Sequence, residues 1–419
     1  MSKKAVQFPK DFLWGASTSA HQVEGGTHNQ WTEWELENAK SLVAQASYQY
    51  GDLAVWPKIQ KAAKDPNNYV SAKAAGHYTR YEEDFAILEK LQMNSFRFSI
   101  EWSRVEPEEG SWNVEAIEHY RRYLAALKQR DITPIMTLFH FTLPVWFSDK
   151  GGFLHRSNVK YFVRFVEKIL DELGPELSWI ITINEPEVYA AQSYHQGNWP
   201  PNRQNTVQMW RVVENLIHAH VKAAKRIHVA GPRYKVSMAY NLSYVYAGDD
   251  ALLSRMSATW IDRIRNHYIL RRTMKANDFI GVNYYFSDRV YGYRIHNPDK
   301  RVSDLGWDMQ PYNLHYVLED LSERYDKPIM ITENGLADAE DTDRQWWLAE
   351  TIRAMRDSMK NGVDLIGYMH WSLLDNFEWD KGFWPRFGLI EVDYATLKRT
   401  PRKSAVLLAR TIKKLKEHA

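Results

Sequence analysis

The chain has no cysteine at all. That absence rules out disulfide staples, thiolate metal sites and cysteine nucleophiles, and it suits a reducing, cytoplasmic compartment. Long apolar runs are missing too. Stretches such as 365–374 are too short and too polar to span a bilayer. At the start of the sequence, Lys3 and Lys4 have no apolar core behind them, so Met1 to Pro9 does not read as a secretory signal. Neither sign of charge dominates: 54 Lys+Arg stand against 52 Asp+Glu, net +2. A nucleic acid or a membrane surface recruited by bulk charge is therefore not expected as a partner. Lys413, Lys414 and Lys416 cluster beside Leu408, Ile412 and Leu415, which recur at helical spacing, so this cluster reads as the wet face of a terminal helix. No His-x-x-x-His with a neighbouring Glu appears, and His218 and His220 fall in a helical segment as surface or packing residues. No metal and no cofactor is expected.

What the chain does have is aromatic surface: 17 Trp, 24 Tyr and 16 Phe, 14% of its 419 residues. Aromatic faces pack well against the C–H faces of sugar rings, and equally well against one another in a core. Hydrophobic residues make up 44% and charged residues 25%, the balance of an ordinary globule with a large core. No repeat, low-complexity tract or Pro/Ser-rich linker divides the sequence, so residues 1–419 read as one domain.

Short, nearly continuous apolar runs at 12–17, 95–100, 134–140, 179–184, 235–240, 278–284, 328–332 and 364–370 read as strands covered on both sides. Amphipathic segments at 75–93, 114–129, 159–172, 207–229 and 344–361 alternate with them; in the first, Tyr81, Phe85, Leu88 and Leu91 share one helical face. Eight such alternations predict an α/β fold, a closed (β/α)8 barrel with extended loops. Two stretches, 23–73 and 285–310, fit neither one strand nor one helix. Both begin at the carboxyl end of a strand, where barrel enzymes carry their site loops.

If the barrel closes, its strand ends share one mouth. There the sequence places Gln22, Arg97, His140, Asn184-Glu185, Asn283-Tyr284-Tyr285, Glu333 and Trp371. Two carboxylates facing one cleft suit glycoside hydrolysis, in which one must carry a proton and the other must be ionised. Arg97, with a hydroxyl from Tyr284 or Tyr285, can hold one of them ionised. The residue types alone leave open which one.

Thr182-Ile183-Asn184-Glu185-Pro186 and Ile331-Thr332-Glu333-Asn334-Gly335 resemble the two signatures of glycoside hydrolase family 1. The likeness extends over nearly the whole chain. It includes Phe12 to Ala16 with Gln22 to Gly25, Phe96 to Arg104, Leu138 to Phe141 with Leu143-Pro144, Asp278 to Tyr285, and Trp371 to Trp379 followed by Arg386 to Gly388. The resemblance implies that Glu333 is the nucleophile and Glu185 the acid/base, a pair that retaining enzymes hold roughly 5–5.5 Å apart. It also implies that Arg97 and Tyr285 contact the nucleophile and that Asn184 bonds the sugar 2-hydroxyl. Gln22, His140, Glu378 and Trp379 would grip the other hydroxyls, over a floor made by Trp371. Small β-glycosides or oligosaccharides are the implied substrates, β-glucosides first and then β-galactosides or β-fucosides. Glu378 stands where enzymes for 6-phosphorylated sugars usually carry serine, and a carboxylate there repels a phosphate.

Phe141 replaces a frequent tryptophan, Phe383 replaces a frequent tyrosine, and the segment 240–278 is short for the family. Trp31 and Trp34 are open between cleft wall and packing. Rival readings are transglycosylation through the same intermediate and a catalytically weak sugar-binding barrel. An isomerase or aldolase would need a Schiff-base lysine or a metal cluster at the strand ends, and neither is found.

Overall fold

The computed structural model describes residues 7–298 and 301–417. Met1 to Val6, most of the segment read against a secretory signal, lie outside them. Eight parallel strands close into a barrel: β1 (Leu13–Ser17), β2 (Ser95–Ser99), β3 (Thr133–Phe139), β4 (Trp179–Asn184), β5 (Lys235–Asn241), β6 (Ile280–Tyr284), β7 (Ile329–Asn334) and β8 (Leu365–Trp371). Each pairs with the next in sequence, and β8 returns to β1 with Leu13 opposite Gly367 and Ser17 opposite Trp371. The apolar runs anticipated all eight, to within two residues at either end.

Burial on both faces explains why those runs are continuous. Ile135, Ile181, Ala239, Phe279, Met330 and Met369 form a cluster of their own that fills the barrel. A far larger cluster, with Phe96, Ile180, Ile183 and Val282 on its strand side, lies between the sheet and the surrounding helices. Packed aliphatic layers inside and a helical coat outside are the barrel's stabilising core.

Most of the expected helices appear with small shifts: Val114–Lys128, Val159–Leu173, Thr206–Ala230 and Arg344–Lys360. The one expected over 75–93 is shorter, His77–Lys90, because Gly76 enters it at φ 66°, a left-handed conformation that stops the helix extending backwards. The terminal helix, Lys403–Glu417, buries Leu408 and Ile412 as its pattern required.

Stretch 23–73 folds largely as two helices, Gln30–Tyr50 and Trp56–Ala63. The first is nucleated by a reciprocal cap: the Asn29 side chain accepts from the Trp31 and Thr32 N–H groups, and the Thr32 hydroxyl oxygen accepts from the Asn29 N–H. Stretch 285–310 supplies strands Ser287–Tyr291 and Arg294–Ile295, which join Tyr244–Ala247 in a small three-stranded sheet. Helix Leu252–Arg265 was not anticipated, and its composition shows why. Leu252, Leu253, Met256 and Trp260 face outward, while only Ser254 and Ala258 are buried, so it carries no inward apolar stripe to announce it. Among the described residues no helix is long and apolar enough to cross a membrane.

Candidate active site

The polar residues at the strand ends converge on a cavity of about 510 Å³. Gln22, His140, Asn184, Glu185, Tyr285, Glu333, Trp371, Glu378 and Trp379 all line it. Arg97 does not reach the cavity wall; it lies directly behind Glu333, 1% exposed.

Both carboxylate-bearing strands lose regular register where the acid sits. The β4–β5 pairing shifts between Ile181 and Asn184, and the β7–β6 pairing shifts between Ile331 and Glu333. Such irregularities bend a strand and re-aim its side chains, which is why they gather beside functional sites. Glu185 follows β4 in the left-handed region at φ 40°, with Pro186 opening the helix Pro186–Ala190 behind it. Phe141 at φ 73° and Trp379 at φ 50° line the same cavity. Each such non-glycine residue costs on the order of 1 kcal/mol or more, a cost the surrounding packing must offset.

Gly335 is required here by space rather than by φ. A Cβ on it would stand 1.7 Å from the Trp371 carbonyl oxygen, where β7 and β8 leave the barrel together. Gly335→Ala therefore has to push Trp371 out of place. We expect a loss of about 1–3 kcal/mol in stability, read as a lower Tm, with a disproportionate drop in turnover. An unchanged Tm and unchanged kcat would show that the two strands part freely.

The two carboxylates are held differently. Glu333 accepts from Arg97 Nη1 at 2.5 Å on one oxygen and from the Tyr285 hydroxyl at 2.6 Å on the other. Arg97 is itself pinned: Nη2 donates to Asn184 Oδ1 at 2.6 Å, Nε to Thr137 Oγ1 at 3.1 Å, and Nη1 also reaches the Thr332 carbonyl. Among the described residues no cation bonds Glu185. It accepts from Asn283 Nδ2 at 2.8 Å, and the same amide also helps to stabilise Glu333.

Burial, and then the neighbouring Glu333 charge, push Glu185 well above the usual carboxylate range. Burial raises Glu333 too, but there the Arg97 guanidinium and the Tyr285 hydroxyl pull the other way. Glu333 is thus equipped to be the ionised member and Glu185 the protonated one. Glu378, buried and accepting from Gln22 Nε2 at 3.3 Å, is pushed up to about 8 by burial. Burial and the Arg97 charge keep His140 neutral.

Aromatic rings build the walls. Trp371 and Trp379 lie nearly parallel to the His140 ring, at 5.9 and 6.2 Å between centroids. Phe141 packs on Trp199 and Trp379 and lines the cavity, whereas Phe383 packs on Phe377 and Tyr394. Trp31 and Trp34 prove to be packing. Trp31 is 1% exposed, with its ring 4.8 Å from that of Trp379 and 5.1 Å from that of Trp34, so the pair props the wall from behind.

The cavity is also lined by residues the sequence reading passed over: Glu187, Trp199, Arg265, Phe286 and Trp307. Glu187 had a signal, being a second carboxylate two residues beyond Glu185. Trp307 lies in stretch 285–310, read only as a site loop. Trp199 and Arg265 had none, since nothing local says that their segments fold over the mouth. His220, read as a packing residue, is buried against the Thr182 hydroxyl at 2.7 Å. Among the described residues no group of three or more His, Asp or Glu is arranged to hold a metal ion.

Comparison with known proteins places this geometry. The model of the family described as glycosyl hydrolase family 1 matches residues 4–275 and 266–417. A curated relative, "Beta-glucosidase A" of Acetivibrio thermocellus, is 30% identical, over 99% of this chain and 99% of its own. Of solved structures, a β-glycosidase from Pyrococcus horikoshii superposes with TM-score 0.86 at 32% identity, covering 98% of this chain and 96% of that one. A Thermotoga maritima β-glucosidase in complex with glucoimidazole also reaches TM-score 0.86, at 26% identity, covering 98% and 99%.

Proposed function

This chain belongs to glycosyl hydrolase family 1, and from that premise we propose how its cleft works as a retaining β-glycosidase. Glu333 attacks the anomeric carbon while Glu185 gives its proton to the departing glycosidic oxygen. The bond to the leaving group breaks as the Glu333 ester forms. Esterification also removes the negative charge that had raised Glu185, so Glu185, its proton already given to the leaving group, stays a carboxylate and takes a proton from incoming water. Water attacks the same carbon, the ester bond breaks, and the sugar leaves with its original β configuration.

The observation that carries this assignment is the asymmetry of the pair: Arg97 and Tyr285 on Glu333, and, among the described residues, an amide alone on Glu185. One amide serving both carboxylates supports the close spacing of a retaining pair over the roughly 6.5–9.5 Å of an inverting one. Gln22, His140, Asn184, Glu378 and Trp379 would bind the glycone hydroxyls, with Trp371 beneath the ring. A glucoside is the first-choice substrate, in keeping with the relatives named β-glucosidase. We read residues 1–419 as one catalytic domain, and the cysteine-free composition suits a cytoplasmic site of action.

Two measurements test the reading. Proton NMR of an aryl β-glucoside digest should show the β-anomer as the first sugar released; α-anomer first would mean inversion. A panel of nitrophenyl gluco-, galacto-, fuco-, manno- and 6-phosphogluco-β-glycosides should rank glucoside or fucoside at the top and leave the 6-phosphoglucoside uncut. Preferential cleavage of the phosphorylated sugar would remove Glu378 from the glycone pocket.

A further inference from the structure

Glu187 is a carboxylate in the cleft that the double displacement does not use. It lies in the first turn of the short helix behind Glu185 and lines the cavity together with Val188, Ala191 and Gln192 from the same segment. Its Oε1 accepts from the Asn241 backbone N–H at 2.8 Å, its own backbone N–H also donates to the carboxylate, and among the described residues no side chain hydrogen-bonds it.

The remaining charges around the cleft are engaged elsewhere. Arg265, which lines the same cavity and lowers Glu187 by its charge, is ion-paired to the buried Asp288. On the opposite wall Asp380 pairs with Lys381, and Glu378 takes its bond from Gln22. In the closed barrel β5 lies opposite β1 and β4 opposite β8, so Glu187, tied to Asn241 at the end of β5, stands across the mouth from Gln22, Trp371, Glu378 and Trp379, which hold the glycone in the reading above. Glu187 therefore sits on the far side of Glu185 from the reacting carbon. Once Glu185 protonates the glycosidic oxygen, the group on that far side is the leaving group.

We propose that Glu187 is a specificity-determining residue that reads the charge of the leaving group, disfavouring anionic aglycones and favouring those that present an ammonium or hydroxyl donors. This rests on the assignment of Glu185 as the acid. A carboxylate with an oxygen free of side-chain partners, in a cleft walled by Trp199, Phe286 and Trp307, attracts a cation and repels an anion more strongly than it would in bulk water. Burial pushes Glu187 up to about 7. The discrimination therefore switches on as pH rises through neutrality, because the carboxylate is charged above that value and neutral below it.

The test compares kcat/KM for two aryl β-glucosides, 4-(ammoniomethyl)phenyl and 4-(carboxymethyl)phenyl, whose methylene spacers keep the phenols similar in acidity. Plain phenyl β-glucoside serves as the neutral reference. The ratio cancels the protonation of Glu185 and Glu333, which both substrates share. In the unaltered enzyme at about pH 8.5 the cationic substrate should lead by about tenfold, the scale of one charge felt across several ångströms of partly screened cleft. At about pH 5.5 the two should approach parity. Glu187→Gln should bring the ratio close to one at both pH values, and Glu187→Asp should retain most of the preference. A ratio near one in the unaltered enzyme at both pH values, or a preference that survives Glu187→Gln, overturns the proposal. Because the pH series needs no variant, the outcome does not depend on the substituted protein folding. Failure to cleave the neutral phenyl glucoside would instead sink the β-glucosidase reading, and this assignment with it.

Discussion

Glu333→Gly lowers turnover of an aryl β-glucoside by about four to six orders of magnitude, the scale seen when a covalent nucleophile is removed, and added azide restores cleavage as the α-glycosyl azide. The stereochemistry follows from where the gap opens. Glycine leaves a space below the anomeric carbon, flanked by Arg97 and Tyr285, whose hydrogen bonds had gone to the lost carboxylate. A small anion can occupy that space, and it attacks from the face the carboxylate used, so a single inversion gives the α product. Recovery of the β-azide, or undiminished turnover, would take the nucleophile's place away from Glu333. Some instability is expected as well, because Arg97 is buried and loses its counter-charge, a change that typically costs about 3–5 kcal/mol. Azide rescue separates the two effects, since a misfolded protein is not rescued.

Glu185→Ala should show its loss selectively. General acid catalysis contributes about 10²–10⁴-fold when the leaving oxygen needs a proton. An alkyl glucoside or a disaccharide should therefore lose activity on that scale, while 2,4-dinitrophenyl β-glucoside, whose phenolate departs unaided, should glycosylate Glu333 nearly as fast as before. The same variant should lose the alkaline limb of its pH profile. In the intact enzyme, burial and the Glu333 charge raise Glu185, so activity persists above the usual carboxylate range and falls when pH passes the raised value and the proton is lost. Equal losses for good and poor leaving groups would remove Glu185 from the acid's role. The neighbouring Glu187 also raises Glu185, so the alkaline limb of Glu187→Gln should move to lower pH.

Several features of the cleft were legible from sequence and several were not. Asn184-Glu185 and Glu333 were placed at the ends of β4 and β7 by the apolar runs before them, and there they are. The residue types alone left Tyr284 and Tyr285 open; the family resemblance pointed to Tyr285, and the folded chain shows the physical reason. Successive residues at a strand end point to opposite sides: the Tyr284 hydroxyl turns away to the Gln310 carbonyl at 2.8 Å, and that of Tyr285 reaches Glu333. Trp31 was equally undecided, because tryptophan packs against a sugar or another ring alike, and two of its three tryptophan neighbours, Trp199 and Trp379, come from distant segments.

By itself the sequence determined the alternation of strand and helix, the eight-fold closure that alternation implies, and the identity of two acids carried at strand ends. These depend on periodicity and on chemistry within a few residues. Tertiary structure decided which acid holds its charge. That depends on a guanidinium from β2, a hydroxyl beyond β6, one shared amide and the exclusion of water, and such effects act through space between groups far apart in the chain.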